Sequence, residues 1–315
     1  MNILDLEVLR EAAAAMRRAQ PAWLATVVAV HGSSPRPTGS MALFLPDSQV
    51  GSLSGGCVEE ELATALSSNS FPADRPSTLQ YGVSADENAR LGLPCGGHLT
   101  VFLQALQPGQ DKHWLSEVIS ALEERRHLQR IVAVDTGQTI LRGTAGFVPL
   151  EFKDGELKQT FGPRQRLLLI GAGALSVSVA ELGLALDFDV MVCDPRDEAR
   201  SNWRGPDVPM IDGMPDDAVR AHAADAQSLV ITLTHDPRID DMALMEALEA
   251  DTAYVGALGS LRTTQARRER LALLGLSSEA IDRLHAPVGL DIGSKTPAEI
   301  AVSIMAELIR LRRRG

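Results

Sequence analysis

Cysteine is scarce in this chain of 315 residues, with Cys57, Cys95 and Cys193 making up the full set. Three thiols without repeat spacing exclude a disulfide framework, and the lack of Cys-x-x-Cys argues against structural zinc. Positive charge is also short. Thirty Lys and Arg stand against 41 Asp and Glu, giving a net charge of −11 that both halves share. That balance argues against a nucleic-acid or anionic-membrane partner. No apolar run approaches the roughly 18 residues of a membrane span. Met1 to Arg18 is charged and holds no apolar signal core, so a reducing cytoplasm is the expected location. There is no internal repeat and no low-complexity tract.

What is present suffices for two cores. The chain is 45% hydrophobic and exceeds the length at which one core stops growing. The first part predicts a helix over Ile3 to Ala19 halted by Pro21, then a buried strand from Trp23 to Val30. Turn residues follow at 31–39, then a hairpin of Met41 to Leu45 with Gln49 to Leu53. Further elements are a helix over Val58 to Leu66, a strand over Leu99 to Leu106, a helix over His113 to Arg126 and a strand over Ile131 to Asp135. This mixed order is α+β. Residues 151–165 are polar with turn signals and are read as the boundary, giving domains 1–160 and 161–315.

Beyond the boundary, strands and helices alternate. Strands are expected at Leu167 to Ile170, Val190 to Cys193, Ser228 to Leu233 and Ala253 to Val255. Helices are expected at Ala174 to Leu186, Asp240 to Glu249, Leu261 to Leu274 and Pro297 to Leu311, the last capped by Thr296. The pattern predicts a Rossmann-like, doubly wound parallel sheet. The first strand runs into Gly171-x-Gly173 and a helix. The first glycine makes the turn, and the second lets a pyrophosphate approach the helix N-terminus. Ser176 stands where a third glycine is usual. Asp194, roughly 20 residues on, sits where an acid meets a ribose hydroxyl. His235 and Asp236 follow the next strand end. His235 is read either as an acid/base or phosphate donor, or as a cap for the helix starting near Pro237. A degenerate Rossmann scaffold without ligand is the bland alternative.

In the first domain two cysteines sit beside double glycines, in Gly55-Gly56-Cys57 and Cys95-Gly96-Gly97. Such turns let backbone N–H groups approach a ligand that the thiol also meets. Cys57 opens a helix whose first turn carries Glu59, Glu60 and Glu61. Those acids suit the helix dipole but oppose thiolate formation. His31 and Arg36 leave another strand end and offer positive or donor groups. Thiolates favour soft metals or act as nucleophiles. The bland reading is that both cysteines fill tight turns, as Cys193 is expected to fill a buried strand end.

Several short motifs, in order, carry a resemblance. They are Gly32-Ser-Ser-Pro-Arg-Pro-Thr-Gly39, Gly51-Ser-Leu-Ser-Gly-Gly-Cys-Val-Glu59, Cys95-Gly-Gly97 and Ile170-Gly-Ala-Gly173. Asp194-Pro-Arg196, Thr234-His-Asp236, Gly259-Ser260 and Gly289-Leu-Asp-Ile-Gly293 continue the series. The chain resembles the XdhC/CoxI family of xanthine dehydrogenase accessory proteins over nearly its whole length. Ala174 departs from it, because the family often has histidine there.

The resemblance implies a protein that binds the molybdenum cofactor, as molybdopterin or its dinucleotide form, and protects it while a cysteine desulfurase supplies a sulfido ligand. The cofactor then passes to xanthine dehydrogenase or a related molybdenum hydroxylase. It also implies a homodimer and an accessory role without turnover. On this reading Cys57 or Cys95 meets molybdenum, and Arg36, Gly55, Gly56, Gly96, Gly97, Gly171, Gly173, Asp194, His235 and Asp236 contribute to cofactor binding. Two alternatives stay open: an NAD(P)-dependent oxidoreductase, and a docking scaffold that binds no cofactor.

Overall fold

A computed structural model describes residues 3–32, 36–84, 87 and 97–312. The chain divides into two compact units, Met1–Pro163 and Arg164–Gly315.

The first unit begins with helix α1 (Ile3–Arg17), whose Val8, Leu9, Ala12, Ala13 and Met16 form one buried stripe. Five antiparallel strands follow as one sheet in the order β3-β2-β1-β5-β4. They are β1 (Ala22–His31), β2 (Met41–Phe44), β3 (Gln49–Gly51), β4 (Ser77–Tyr81) and β5 (His98–Leu106). One face, with Leu24 and Leu43, packs on α1 and on α3 (Asp111–Glu123). The other face, with Ala25, Val27 and Leu103, packs on α2 (Cys57–Ser67) through Val58 and Leu62. The two-residue period of a strand places alternate side chains in separate cores.

A second antiparallel sheet has the order β7-β6-β9-β8, with β6 (His127–Ala133), β7 (Thr139–Thr144), β8 (Glu151–Lys153) and β9 (Glu156–Phe161). Its Val132 and Leu157 meet Val28 and Phe102 of the first sheet. The polar stretch at 151–165 is therefore mostly a hairpin rather than linker. Asp154 and Gly155, both at positive φ (54° and 76°), make its two-residue turn.

Pairing register brings distant segments to one end of the five-stranded sheet. His31 pairs with His98, Tyr81 with Leu99, Thr26 with Met41 and Ala42 with Gly51. The connections leaving His31, Gly51 and Tyr81, and those entering Met41 and His98, all open at that end.

The second unit is a six-stranded parallel sheet, ordered β12-β11-β10-β13-β14-β15. The strands are β10 (Arg166–Ile170), β11 (Asp189–Cys193), β12 (Met210–Ile211), β13 (Ser228–Thr232), β14 (Tyr254–Ala257) and β15 (Leu284–His285). The fold is mixed α/β, with antiparallel sheets followed by this Rossmann-like domain. Strand order reverses between β10 and β13, and ligands in open α/β sheets bind outside the strand C-termini at such a point.

Helices α4 (Ala174–Ala185) and α10 (Pro297–Arg312) cover one face, where Leu167 and Leu169 meet Val179 and Ile304. Helices α6 (Pro215–His222), α7 (Pro237–Glu249) and α8 (Leu261–Leu273) cover the other, against Leu168, Ile170 and Val230. Short helices α5 (Asp197–Ser201) and α9 (Ser278–Asp282) complete the unit. Thr296 caps α10 as expected, accepting from the Glu299 N–H at 3.3 Å. No helix among the described residues is long and apolar enough to cross a membrane.

Candidate functional site

The loop between β3 and α2 is built around one carboxylate. Glu59 is 3% exposed. Its Oε1 accepts from the Leu53 N–H at 2.7 Å, the Ser54 N–H at 3.0 Å, the Gly55 N–H at 3.2 Å and the Ser52 hydroxyl at 2.9 Å. Its Oε2 accepts from the Ser54 hydroxyl at 2.5 Å and the Gly56 N–H at 3.0 Å. The fifth loop amide, that of Ser52, donates to Met41 O at 3.0 Å. Burial alone would push the Glu59 carboxyl up. Hydrogen bonds from the Ser54 side chain and from the Ser54 and Leu53 amides prevail and hold it at about 2, against an ordinary 4.5.

This arrangement corrects the expectation that the Gly55 and Gly56 amides face a ligand. The Gly55 and Gly56 amides turn inward to Glu59, and the open side is the one where a Cβ would stand. Nothing lies within 4 Å of a Cβ built on either glycine. Gly56, the N-cap of α2, has φ 147°, which a side-chain-bearing residue rarely adopts. Cys57 follows at the first helical position, with its thiol exposed and unbonded to another cysteine. Glu59 stays charged, with both carboxylate oxygens turned into the loop.

Other sequence-predicted residues of this unit share the same sheet end. Arg36, partly buried, lies in the β1–β2 connection. Gly97 is buried immediately before β5. Cys95 and Gly96 lie outside the described residues. The sequence reading passes over His98, whose ring stacks on that of His31 with centroids 4.5 Å apart. It also misses the anchoring role of Glu59. The signal is there: an acid three positions after an N-cap is capping-box spacing.

In the second unit the turn after β10 sits at the switch point. Gly171 has φ 109°, and a Cβ there would come within 2.8 Å of Thr234 Cγ2. Its N–H donates to Cys193 O at 2.7 Å, tying the turn to β11. Gly173, the N-cap of α4, differs. Its backbone is extended (φ −92°, ψ 179°), and nothing lies within 4 Å of a built Cβ. The space over that helix N-terminus is open, as an approaching phosphate needs.

Asp194 is fully buried and engaged on both oxygens. Oδ2 accepts from the Ala172 N–H at 2.8 Å and from Arg196 Nη2 at 2.7 Å. Oδ1 accepts from Arg196 Nε at 2.9 Å and the Arg196 N–H at 3.0 Å. Burial works against ionisation, but the bonds from Arg196 and Ala172 keep the carboxyl below the ordinary aspartate value. The acid thus holds the glycine turn and Arg196 in place. A ribose hydroxyl reaches it only if Arg196, half exposed, swings aside.

Asp236, not His235, caps α7. Its Oδ1 accepts from the Arg238 N–H at 3.0 Å, and both of its oxygens meet the Arg238 guanidinium. His235 is exposed beside it. Cys193 is buried as expected, and burial pushes its thiol up to about 11. Among the described residues, no group of three or more His, Cys, Asp and Glu side chains is placed to hold a metal ion.

Comparison with known proteins covers both units. Residues 15–82 match the family described as XdhC and CoxI, and residues 167–308 match the XdhC Rossmann domain. The chain is 29% identical over 315 residues to the molybdenum cofactor insertion chaperone PaoD of Escherichia coli (strain K12), spanning 97% of this chain and 88% of that one. It is 27% identical over 327 residues to a probable xanthine dehydrogenase subunit of Bacillus subtilis (strain 168), spanning 94% of each. A crystal structure described as a xanthine dehydrogenase from Bacillus halodurans, 27% identical, aligns with a TM-score of 0.78 over 99% of this chain and 96% of that one.

Proposed function

This chain belongs to the XdhC and CoxI family, and on that premise we propose that it binds the molybdenum cofactor and inserts it into a molybdenum hydroxylase of the xanthine dehydrogenase kind. The observation that carries the reading is the exposed Cys57 thiol. It stands at a helix N-terminus, beside two glycines with open space above them, on a loop fixed by Glu59. A thiolate is a ligand for a soft metal centre. In the second unit, taken by itself, the open space over Gly173 suits a phosphate or pyrophosphate group. When bound, the cofactor supplies the molybdenum. The protein's residues hold it through Cys57, with Arg36 and the His31–His98 pair at the same sheet end as donors.

The finer elements of the proposal are that the bound cofactor receives its sulfido ligand from a cysteine desulfurase, and that the carrier works as a homodimer. An NAD-dependent oxidoreductase gains little from the site, since the acid that would meet a ribose has both oxygens engaged. The test is cofactor retention. Full-length protein mixed with molybdenum cofactor and passed through gel filtration should elute with molybdenum and pterin together. Cys57→Ser keeps the size, loses the soft ligand and should elute with markedly less of both. Absence of retention by the wild type would overturn the function. Equal retention by the variant would remove Cys57 from it.

A further inference from the structure

Gln159 breaks the pattern of the face it occupies. Along β9 the side chains of Leu157 and Gln159 point the same way, because a strand repeats every two residues. Leu157 is fully buried against Val28 and Phe102 of the first sheet. Gln159 is only 5% exposed, so a carboxamide stands where the alternation calls for an apolar side chain. A buried amide costs free energy where its polar atoms go unbonded, and Gln159 Oε1 has no hydrogen-bond partner among the described residues. An apolar side chain of the same length would avoid that cost.

What the amide provides is one long-range bond. Its Nε2 donates to Gly39 O at 3.2 Å, joining β9 to the connection between β1 and β2. The bond lands on a turn that the Ser40 N–H closes by donating to Pro37 O at 3.2 Å, with Gly39 at φ 93°. The turn is also tied to β1, through the Gly39 N–H on Val27 O at 2.7 Å and the Val27 N–H on Ser40 O at 2.9 Å. Among the described residues nothing lies within 4 Å of a Cβ built on Gly39, so packing does not brace the turn on that side. Arg36, partly buried, immediately precedes it.

We propose that Gln159 is a positioning residue: through the Gly39 carbonyl it fixes the Pro37–Ser40 turn, and with it the backbone that carries Arg36. The inference rests on the reading of Arg36 as a donor to the bound molybdenum cofactor. It adds that the second sheet of the first unit takes part in that binding without touching the ligand.

The experiment titrates full-length protein with molybdenum cofactor under anaerobic conditions, using wild type, Gln159→Met, Arg36→Ala and the double variant. Methionine keeps the length of the side chain and loses both amide atoms. Gln159→Met should bind about three- to tenfold more weakly, the size of one net hydrogen bond, with melting unchanged. In the Arg36→Ala background the same change should have no further effect, whereas a merely structural role would weaken both backgrounds alike. Hydrogen–deuterium exchange adds the direction: a peptide spanning residues 36–45 should exchange faster in Gln159→Met and as in wild type in Arg36→Ala. If Gln159→Met does not fold, Gln159→Leu takes its place. Wild-type binding by the glutamine variant, equal losses in the two backgrounds, or unchanged exchange over the turn each overturn this proposal alone. Arg36→Ala that binds as wild type does overturns the reading of Arg36 and this proposal with it. Absence of binding by wild type overturns the proposed function itself.

Discussion

Replacing Glu59 with glutamine tests the anchor of the Cys57 loop most directly. In either orientation the new amide nitrogen faces donors. At the Oε2 position it opposes the Gly56 N–H and the Ser54 hydroxyl, and at the Oε1 position it opposes three backbone amides. The less damaging orientation leaves Gly56 N–H without an acceptor and removes the charge from every remaining bond. A carboxyl held at about 2 against an ordinary 4.5 contributes about 3 kcal/mol at neutral pH.

Because the folded value is depressed, that contribution is complete above about pH 5 and disappears as pH falls toward 2. Glu59→Gln should therefore destabilise the loop by about 3 kcal/mol at pH 7, with the gap to wild type closing on acidification. Hydrogen–deuterium exchange of a peptide spanning residues 52–59 reads this locally, and the expected loss of protection is about a hundredfold. Unchanged protection at pH 7, or a gap that persists at the acid end, would refute the account of Glu59 as a charged anchor.

Thiol chemistry should separate the two described cysteines. A maleimide should modify Cys57 in the folded protein and reach Cys193 only on unfolding, as mapped by peptide mass spectrometry. The two glycines of the turn between β10 and α4 should also part company in thermal melts. Gly171→Val should cost several kcal/mol, because its φ is positive and the new side chain meets Thr234. Gly173→Val, in extended backbone with open space, should cost only about 1 kcal/mol as a poorer N-cap. Its deficit should appear in pyrophosphate binding instead.

The second unit is more legible in the sequence than the first, for a physical reason. A parallel strand buried on both faces reads as a continuous apolar run, and Leu167 to Ile170 ending in glycines announces itself. Strands β12 and β15, two residues each, are too short to show any period. The β8–β9 hairpin reads as linker because Glu151, Lys153, Glu156 and Lys158 dominate its composition, although Asp154-Gly155 is a strong hairpin signal. Helix α7 begins at Pro237 rather than Asp240 because Asp236 caps it. At the candidate site, the residue types are readable and their orientations are not. Sequence places glycines beside Cys57, but only the structure reveals that their amides point away from the solvent side. Likewise Asp194 stands at the expected strand end, and its engagement by Arg196 depends on a side-chain conformation that spacing cannot encode.

The closed amide set of residues 52–56 has a kinetic meaning. With every N–H from Ser52 to Gly56 already committed inside the protein, the loop has none to wrap around a guest. A molecule that reaches Cys57 meets amides that are already committed, so residues 52–56 add little ordering penalty to docking. On the proposed function, a ligand would leave the thiol without any reopening of residues 52–56. The contribution of this loop to exchange would then be set by ligand substitution at sulfur and not by refolding of its backbone.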